Sequence, residues 1–294
     1  MLPDHVEQVR AFNRLVTQRA GALDQNFLGR DRPLGESRVL FEIGEDGADL
    51  RDLRSRLGLD SGYLSRVVQS LASRGLVRLG ADPGDERVRR ARITRKGRAE
   101  VEEMNRRSDR AAERILAPLS ESQRERLVGA MTEVHRLLRA AGARIERVDP
   151  GSPAARWCVE QYFAELADRF ETGFDPARSI PADDDELRPP RGAFLVASAD
   201  GAPLACGAVK RIAPEIGSLK RMWVASSARG LGFGRRVLEG LEAESRQLGL
   251  TTLRLETNKS LSEAIRLYRG AGYVEVPRFN NEAYADHWFE KHLV

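Results

Sequence analysis

The sequence predicts two domains, a mainly α domain followed by an α+β domain. The chain has 294 residues, which is more than a single hydrophobic core usually holds. Apolar residues recur at helical spacing through its first half, whereas short strands and helices are mixed in the second. Between the halves, segment 148–153 is rich in proline, glycine and serine and interrupts the helical pattern. We therefore predict one domain at 1–145 and a second at 146–294.

The composition is typical of a globular protein, because 41% of the residues are hydrophobic and 31% are charged. No apolar run approaches the roughly 18 residues that a membrane span needs, and the first residues lack the pattern of a secretion signal. We therefore expect a cytoplasmic protein with no membrane partner. Cys158 and Cys206 are too few for a disulfide framework, so we expect buried thiols. We also expect no metal, because no side chains lie at metal-ligand spacing.

A helix-turn-helix is predicted around residue 60, after two shorter helical segments. Segments 48–57 and 61–74 form two helices joined by a tight turn, and Asp60 or Ser61 can cap the second helix. In such a pair the second helix fits the DNA major groove, where polar side chains reach the base edges. The candidate DNA-binding residues on its free face are Ser61, Tyr63, Ser65, Arg66 and Gln69.

A β-hairpin is predicted directly after this pair, with strands at 75–79 and 88–93 around a turn at 82–85. The run 87–98 contains no acidic residue. Such a run by itself fits an ordinary solvated surface. Its position beside the polar helix favours a wing that contacts DNA phosphates or the minor groove. The candidate DNA-binding residues of the wing are Arg87, Arg89 and Arg90.

The order and spacing of these pieces resemble the MarR family of winged-helix regulators over about residues 1–143. The resemblance implies a transcriptional regulator that binds double-stranded DNA as a homodimer. It also implies that the first helix and the long helices at 98–116 and 121–141 build the dimer, with Ser120 capping the last. One departure is the acidic Glu86 at the wing tip, which we expect to weaken phosphate contact. The resembling segments are 50–53, 61–68, 71–77 and 92–97.

A glycine-rich loop is the most specific feature of the second domain. It follows a strand at 219–224 and leads into a helix at 235–248. Glycines let the backbone approach a ligand closely, and the amides at a helix N-terminus favour a phosphate. A dinucleotide fingerprint has a different glycine spacing, and a P-loop would need Gly-Lys-Ser/Thr, so a turn without a ligand is the main alternative. The loop consists of Arg229, Gly230, Leu231, Gly232, Phe233 and Gly234.

The elements around this loop resemble the GNAT superfamily of acetyltransferases over about residues 145–294. A helix at 157–170 and a hairpin of two strands precede the loop, and a strand at 252–256 and a helix at 262–271 follow it. The resemblance implies an α+β fold with a mixed, mostly antiparallel sheet. One departure is Ser226, where the family often has proline. The resembling segments are 222–224, 229–234, 255–258 and 264–273.

The resemblance implies an N-acetyltransferase that uses acetyl-CoA. The amides of the loop, with Arg235 beside them, would hold the CoA pyrophosphate. The strand that ends in Met222, Trp223 and Val224 would splay from its neighbour, pair with pantetheine and polarise the thioester carbonyl. The acceptor, a small-molecule amine or amino acid, would attack the thioester directly, without a covalent enzyme intermediate.

The same resemblance implies two candidate catalytic residues. Tyr268 matches the family's general acid, which protonates the departing thiolate, although a tyrosine at this helical position also fits the core. Asn258 would contact the cofactor or an ordered water, or serve only in a turn. The general base is unassigned, and the nearest carboxylate to the usual position is Glu215. Segment 279–290 would either line the acceptor pocket or form an edge strand.

The sequence favours a bifunctional protein, a DNA-binding transcriptional regulator that is also an acetyltransferase. An intact loop together with Tyr268 favours catalysis over mere binding. The first alternative is a regulator whose second domain only senses acetyl-CoA or another effector. The second alternative is a protein-lysine acetyltransferase that is recruited to DNA.

Overall fold

The computed structural model describes residues 3–82 and 85–293, with side chains described except at 3, 82 and 85–88. The chain divides into two compact units, residues 1–126 and 127–294. The division falls within a long helix, α6 (Glu121–Gly142). No helix in the described part of the chain is both long and apolar enough to cross a membrane.

The first unit is mainly helical, with one small antiparallel sheet of strand order β1-β3-β2. Its buried core is formed by apolar side chains of α2, α4 and the sheet, among them Leu40, Leu71 and Val77. This arrangement confirms the predicted mainly α winged helix-turn-helix. The elements are α1 (Pro3–Arg19), α2 (Leu34–Ile43), β1 (Ala48–Asp49), α3 (Leu50–Leu57), α4 (Ser61–Ser73), β2 (Val77–Asp82), β3 (Asp85–Ile93) and α5 (Arg95–Leu116).

Local capping fixes the helix-turn-helix. The Asp49 carboxylate accepts a hydrogen bond from the Arg51 amide, and the Asp60 carboxylate accepts one from the Tyr63 amide at 3.0 Å. The second of these bonds lowers the pKa of Asp60. Gly58, with φ +61°, ends α3 in the left-handed conformation that glycine tolerates best. The predicted start of α3 at residue 48 is wrong, because Ala48 instead pairs with the wing strand β3.

The second unit is an α+β fold built on a seven-stranded sheet of order β4-β5-β6-β7-β8-β10-β9. Every neighbouring pair is antiparallel except β7 and β8, so the predicted mixed, mostly antiparallel sheet is confirmed. The elements that follow α6 are β4 (Arg144–Arg147), α7 (Pro153–Arg169), β5 (Gly192–Ala199), β6 (Ala202–Ala213), β7 (Ile216–Val224), α8 (Phe233–Gln247), β8 (Thr252–Thr257), α9 (Ser262–Gly270), β9 (Val274–Glu275) and β10 (His287–His292).

The predicted boundary at 145/146 falls inside β4, which pairs with β5 of the large sheet. The second unit already begins within α6, whose C-terminal half is held by arginine contacts. Arg236 donates to the carbonyls of Ala140 and Ala143, and Arg139 forms an ion pair with Asp200. The proline- and glycine-containing segment 148–153 is therefore the connection from β4 to α7 rather than a link between units.

The end of the chain departs from the expected order of strands. The strand expected after Gly272 is only two residues long, and β10 lies between it and β8. Long-range pairing of β10 with β8, from His287↔Thr257 to His292↔Thr252, decides this arrangement. Both cysteines are buried and unpaired, as expected.

Candidate active site and nucleic-acid interface

The parallel strands β7 and β8 separate to form a gap. They pair only at Ile216↔Thr252, Gly217↔Leu253 and Ser218↔Arg254, while β7 stays paired with β6 as far as Val224. A cavity of about 280 Å³ opens at this gap, at the lower end of the roughly 300–1,000 Å³ typical of small-molecule sites. Its walls come from β7, β8, α7, α9 and segment 279–285. The predicted splay of the strand that ends at Val224 is therefore present.

The three predicted residues at the end of β7 face different surroundings. Met222 lines the cavity, and a β-carbon at Gly207 would lie 2.5 Å from its sulfur, so the glycine makes room for it. Trp223 is buried against α7, where its indole Nε1 donates to Glu165 at 3.0 Å. Val224 is half-buried against the core of the sheet.

The glycine-rich loop presents backbone amides at the start of α8. Gly230 and Gly232 have φ near +78° and +79°, and a β-carbon at either would meet nothing within 4 Å. Helix α8 begins at Phe233, two residues earlier than expected, and no side chain caps it. Within the described chain, the amides of residues 232–235 have no hydrogen-bond acceptor. Leu231 and Phe233 pack against the core, so their side chains leave the backbone of the loop uncovered.

These observations fit a pyrophosphate group, because unpaired amides and the positive end of a helix dipole favour an anion. The two loop arginines are already engaged. Arg229 donates to Glu165 at 2.5 Å and to the Val224 carbonyl at 3.3 Å. Arg235 donates to Glu239 at 2.9 Å on the exposed side of α8.

Two residues beside the loop escaped the sequence analysis. Arg136 of α6 donates to the carbonyls of Ser227 at 3.3 Å and Arg229 at 2.9 Å, immediately before the first glycine of the loop. Glu165 of α7 accepts hydrogen bonds from both Trp223 and Arg229 through Oε2. Neither lies in a motif, because each acts across more than fifty residues of sequence.

Tyr268 of α9 is buried and lines the cavity, so the structure places it at the gap as well as in the core. Burial raises the pKa of Tyr268, and the nearby charge of Glu256 raises it further. The phenol therefore keeps its proton at neutral pH, as a general acid must.

Asn258, the second predicted catalytic residue, also lines the cavity. Its Nδ2 donates to the Tyr284 carbonyl at 2.8 Å, and its Oδ1 accepts from the Ser260 amide at 2.9 Å. These bonds give it a turn role that ties the end of β8 to segment 279–285. Its contact with the cofactor stays a prediction.

Glu215, the carboxylate nearest to the usual position of a general base, does not line the cavity. Glu256, Glu282 and the exposed Asp183 do; Glu282 is buried, and the Glu256 side chain is 6% exposed. Glu256 forms an ion pair with Lys220 and accepts from Asn280. Glu282 accepts hydrogen bonds from Ser179 Oγ at 2.9 Å and from the Ile180 amide at 2.8 Å. Segment 279–290 therefore lines the cavity and supplies β10. The expected edge strand is wrong, because β10 pairs with β8 on one side and β9 on the other.

The structure gathers four of the eight predicted DNA-binding residues around one shallow cavity of about 180 Å³ in the first unit. Two arginines of α3, Arg51 and Arg54, lie there too and were missed because the notable charge run lies elsewhere in the sequence. Arg66 is exposed on α4, and Tyr63 is partly exposed with its hydroxyl against Gly35. The predicted residues around the cavity are Ser61, Ser65, Gln69 and Arg89.

Arg90 of the wing does not join this group. Arg90 is half-buried and donates to the carbonyls of Asp46 and Gly47, so it braces β1 against the wing. The side chain of Arg87 lies outside the described residues. Across residues 3–82 and 85–293, no three His, Cys, Asp or Glu side chains are grouped so that they could hold a metal ion.

Residues 159–273 match the family model of the acetyltransferase (GNAT) family. An IAA acetyltransferase from Azospirillum brasilense is 41% identical over 120 residues, which are 40% of this chain and 77% of that protein. The chain belongs to the GNAT family of acetyltransferases. A GNAT acetyltransferase from Staphylococcus aureus is 15% identical, with a TM-score of 0.45, and the match covers 52% of this chain and 99% of that one.

The first unit of this GNAT protein has relatives of its own. Residues 29–88 match the family model of the MarR family. An uncharacterised HTH-type transcriptional regulator from Bacillus subtilis is 28% identical over 83 residues, which are 28% of this chain and 51% of that protein. The chain thus spans about half the length of that regulator. The protein joins a MarR-type region to an acetyltransferase domain, whose family takes its acetyl group from acetyl-CoA.

Proposed function

We propose that this protein is a DNA-binding transcriptional regulator that also transfers an acetyl group from acetyl-CoA to a small amine or amino acid. One observation supports the proposed acetyl transfer. Tyr268 lies in the same cavity as the exposed end of β7, where the unpaired backbone can polarise a thioester carbonyl. The IAA acetyltransferase of A. brasilense supports acetyl transfer to a small acceptor.

The chemistry follows from the positions of these groups. Acetyl-CoA supplies an activated acetyl group whose carbon a neutral amine can attack. The end of β7 offers amide hydrogens to the carbonyl oxygen as negative charge develops there. Tyr268 donates its proton to the departing thiolate. Glu256 and Glu282 are the cavity carboxylates that can take the proton released by the amine.

The regulatory half rests on the first unit. Helix α4 would enter the major groove, and Arg89 of the wing would contact phosphate. Apolar side chains on α1 and α6 are exposed, which supports a homodimer in which a second copy covers them, and we propose that this dimer is cytoplasmic. These residues are Val6, Val9, Phe12 and Leu15 on α1 and Val128, Met131 and Leu138 on α6.

The sensing alternative has one observation in its favour. Arg136 lies on α6 and holds the carbonyl of Arg229, so the loop proposed to bind pyrophosphate is joined to a helix proposed to build the dimer. Turnover of acetyl-CoA distinguishes an acetyltransferase from a sensor of acetyl-CoA. Purified protein should release free thiol from acetyl-CoA with at least one small amine or amino acid. Acetyl-CoA binding without turnover on any acceptor would instead support the sensor.

The DNA-binding face can be tested with a random-sequence duplex. We expect Arg66→Ala and Arg89→Ala each to weaken binding about 10-fold, and the Arg89 change to lower the salt slope by about one. The measurement is fluorescence anisotropy over a salt series. Arg90→Ala is the matched control, because its guanidinium binds the carbonyls of Asp46 and Gly47. It should reduce thermal stability more than affinity, and equal weakening by all three changes would contradict the assigned face.

A further inference from the structure

Arg221 is held in the cavity wall by an unusual backbone. It lies in β7 beside a bulge in the pairing with β6, and its φ is +55°. A non-glycine residue at positive φ carries a conformational cost and is found where a side chain must be aimed. The Cys206 thiol donates to the Arg221 carbonyl at 3.2 Å and so supports this conformation. The bulge therefore directs Arg221 toward the acceptor side of the gap.

The Arg221 guanidinium has binding capacity left. Among the described residues it donates one hydrogen bond, to the Ala182 carbonyl at 2.7 Å, and it lies 6.0 Å from the centre of the Phe163 ring. Burial lowers its pKa, whereas Asp183 and Asp184 interact with it only at longer range. A partly desolvated guanidinium with free donors favours a carboxylate partner, which it can bind through two parallel hydrogen bonds.

The wall beside Arg221 is aromatic and closed. The ring centres of Phe163 and Phe174 are 5.4 Å apart, those of Phe170 and Phe174 6.0 Å, and those of Phe174 and Tyr284 5.0 Å. Rings at these distances are in direct contact, so no ammonium group fits between them as it would in an aromatic cage. The wall instead offers a continuous apolar surface to a flat or bulky side chain.

The charges of the other cavity residues are already balanced or point to an amine. Lys220 is paired with Glu256, so neither needs a charged ligand. Glu282 is held by neutral donors, among them Ser179 Oγ and the Ile180 amide, and forms no ion pair with the described residues. Among the described residues that line the cavity, Arg221 is therefore a cation outside any ion pair, and Glu282 and the exposed Asp183 are carboxylates outside any ion pair. This pattern matches a zwitterion better than a polyamine, which carries only positive charge.

We propose that the acceptor is an amino acid with an aromatic or large apolar side chain, whose carboxylate binds Arg221 and whose side chain packs on the wall of Phe163, Phe174 and Tyr284. This inference rests on the acetyl transfer proposed above and specifies its acceptor. The α-amine of such a molecule attacks the thioester carbon, the C–S bond breaks, and Tyr268 protonates the thiolate. A cavity carboxylate such as Glu282 takes the proton that leaves the amine, Tyr268 regains its proton from solvent, and an N-acetylamino acid and free CoA are the products.

The test compares pairs of acceptors that differ only in the carboxylate. L-phenylalanine, L-tryptophan and L-leucine are assayed against their decarboxylated amines, with free thiol as the readout. We expect kcat/KM to be about 10- to 100-fold higher for the amino acids. Arg221→Gln should remove this preference by raising KM for the amino acids, while the amines are used as before. Arg221→Lys should keep part of the preference for amino acids, because lysine keeps the positive charge.

Binding measurements separate the two ways in which the proposal can fail. Acetyl-CoA affinity is measured by calorimetry for each variant and should match the parent, which shows that the fold is intact. Equal use of amino acid and amine by the parent protein, or an equal loss for both in Arg221→Gln, would overturn the amino-acid inference and leave acetyl transfer standing. Normal acetyl-CoA binding with no turnover on either class would overturn acetyl transfer, and the inference with it.

Discussion

Replacement of Tyr268 by phenylalanine should lower kcat by about 100-fold or more, the usual contribution of a positioned general acid. The change removes one oxygen and leaves the ring contacts with Tyr273 and Phe289 in place. The thiolate must then leave unprotonated or take a proton from water. Acetyl-CoA affinity should not change, because the loop that precedes α8 is untouched. Steady-state release of thiol and calorimetry measure the two quantities separately.

Tyr273→Phe is the matched control for this change. Tyr273 is also buried, its ring centre is 6.0 Å from that of Tyr268, and it does not line the cavity. It should retain kcat. Because burial raises the pKa of Tyr268, kcat of the parent should show no fall near pH 10, where a free tyrosine would lose its proton. Equal kcat in Tyr268→Phe and the parent would remove this residue from the chemistry.

Replacement of Gly232 by valine should weaken acetyl-CoA binding by about 10-fold or more. A β-branched residue at φ +79° is strained by roughly 1–2 kcal/mol, and relief of that strain would turn the amides of residues 232–235 away from the ligand. The open space beside Gly232, where the new side chain would lie, is also the approach for a phosphate. Calorimetric titration with acetyl-CoA and with free CoA measures the effect.

Gly249→Val provides the control at the opposite end of α8. Gly249 has φ +74° and the same open surroundings, so the strain is matched while the phosphate loop is untouched. Both variants should lose similar thermal stability, and only Gly232→Val should lose affinity. A comparable loss of affinity in both would mean that the effect comes from general destabilisation of the fold.

The sequence predicts the parts of this protein that depend on local interactions. The cap at Asp60 and the glycine-rich loop before α8 each depend on residues within a few positions. Glycine and capping residues have few alternative roles, so their patterns identify structure directly. This is why the helix-turn-helix and the loop before α8 could be located in advance.

The acceptor cavity could not be predicted in the same way. Phe163 and Phe174 lie in and just after α7, whereas Tyr284 reaches them from the distant segment that precedes β10, a strand placed by long-range pairing with β8. Arg221 looks like any polar strand residue until the bulge in β7 is known. The role of Arg90 could not be predicted either. It lies in a basic run that suggests a DNA contact, but its side chain turns inward and donates to two carbonyl groups.

Glu165 has a consequence for the order of events. One carboxylate oxygen binds both Trp223, beside the acetyl-transfer gap, and Arg229, at the phosphate loop, while the same helix α7 carries Phe163 of the acceptor wall. If a bound phosphate attracts Arg229, Glu165 keeps hydrogen bonds only from Trp223 and Arg169. We expect this change to shift α7, the helix that shapes the acceptor wall. Donor and acceptor would then not bind independently. We expect ordered addition, with acetyl-CoA as the leading substrate and CoA as the last product to leave.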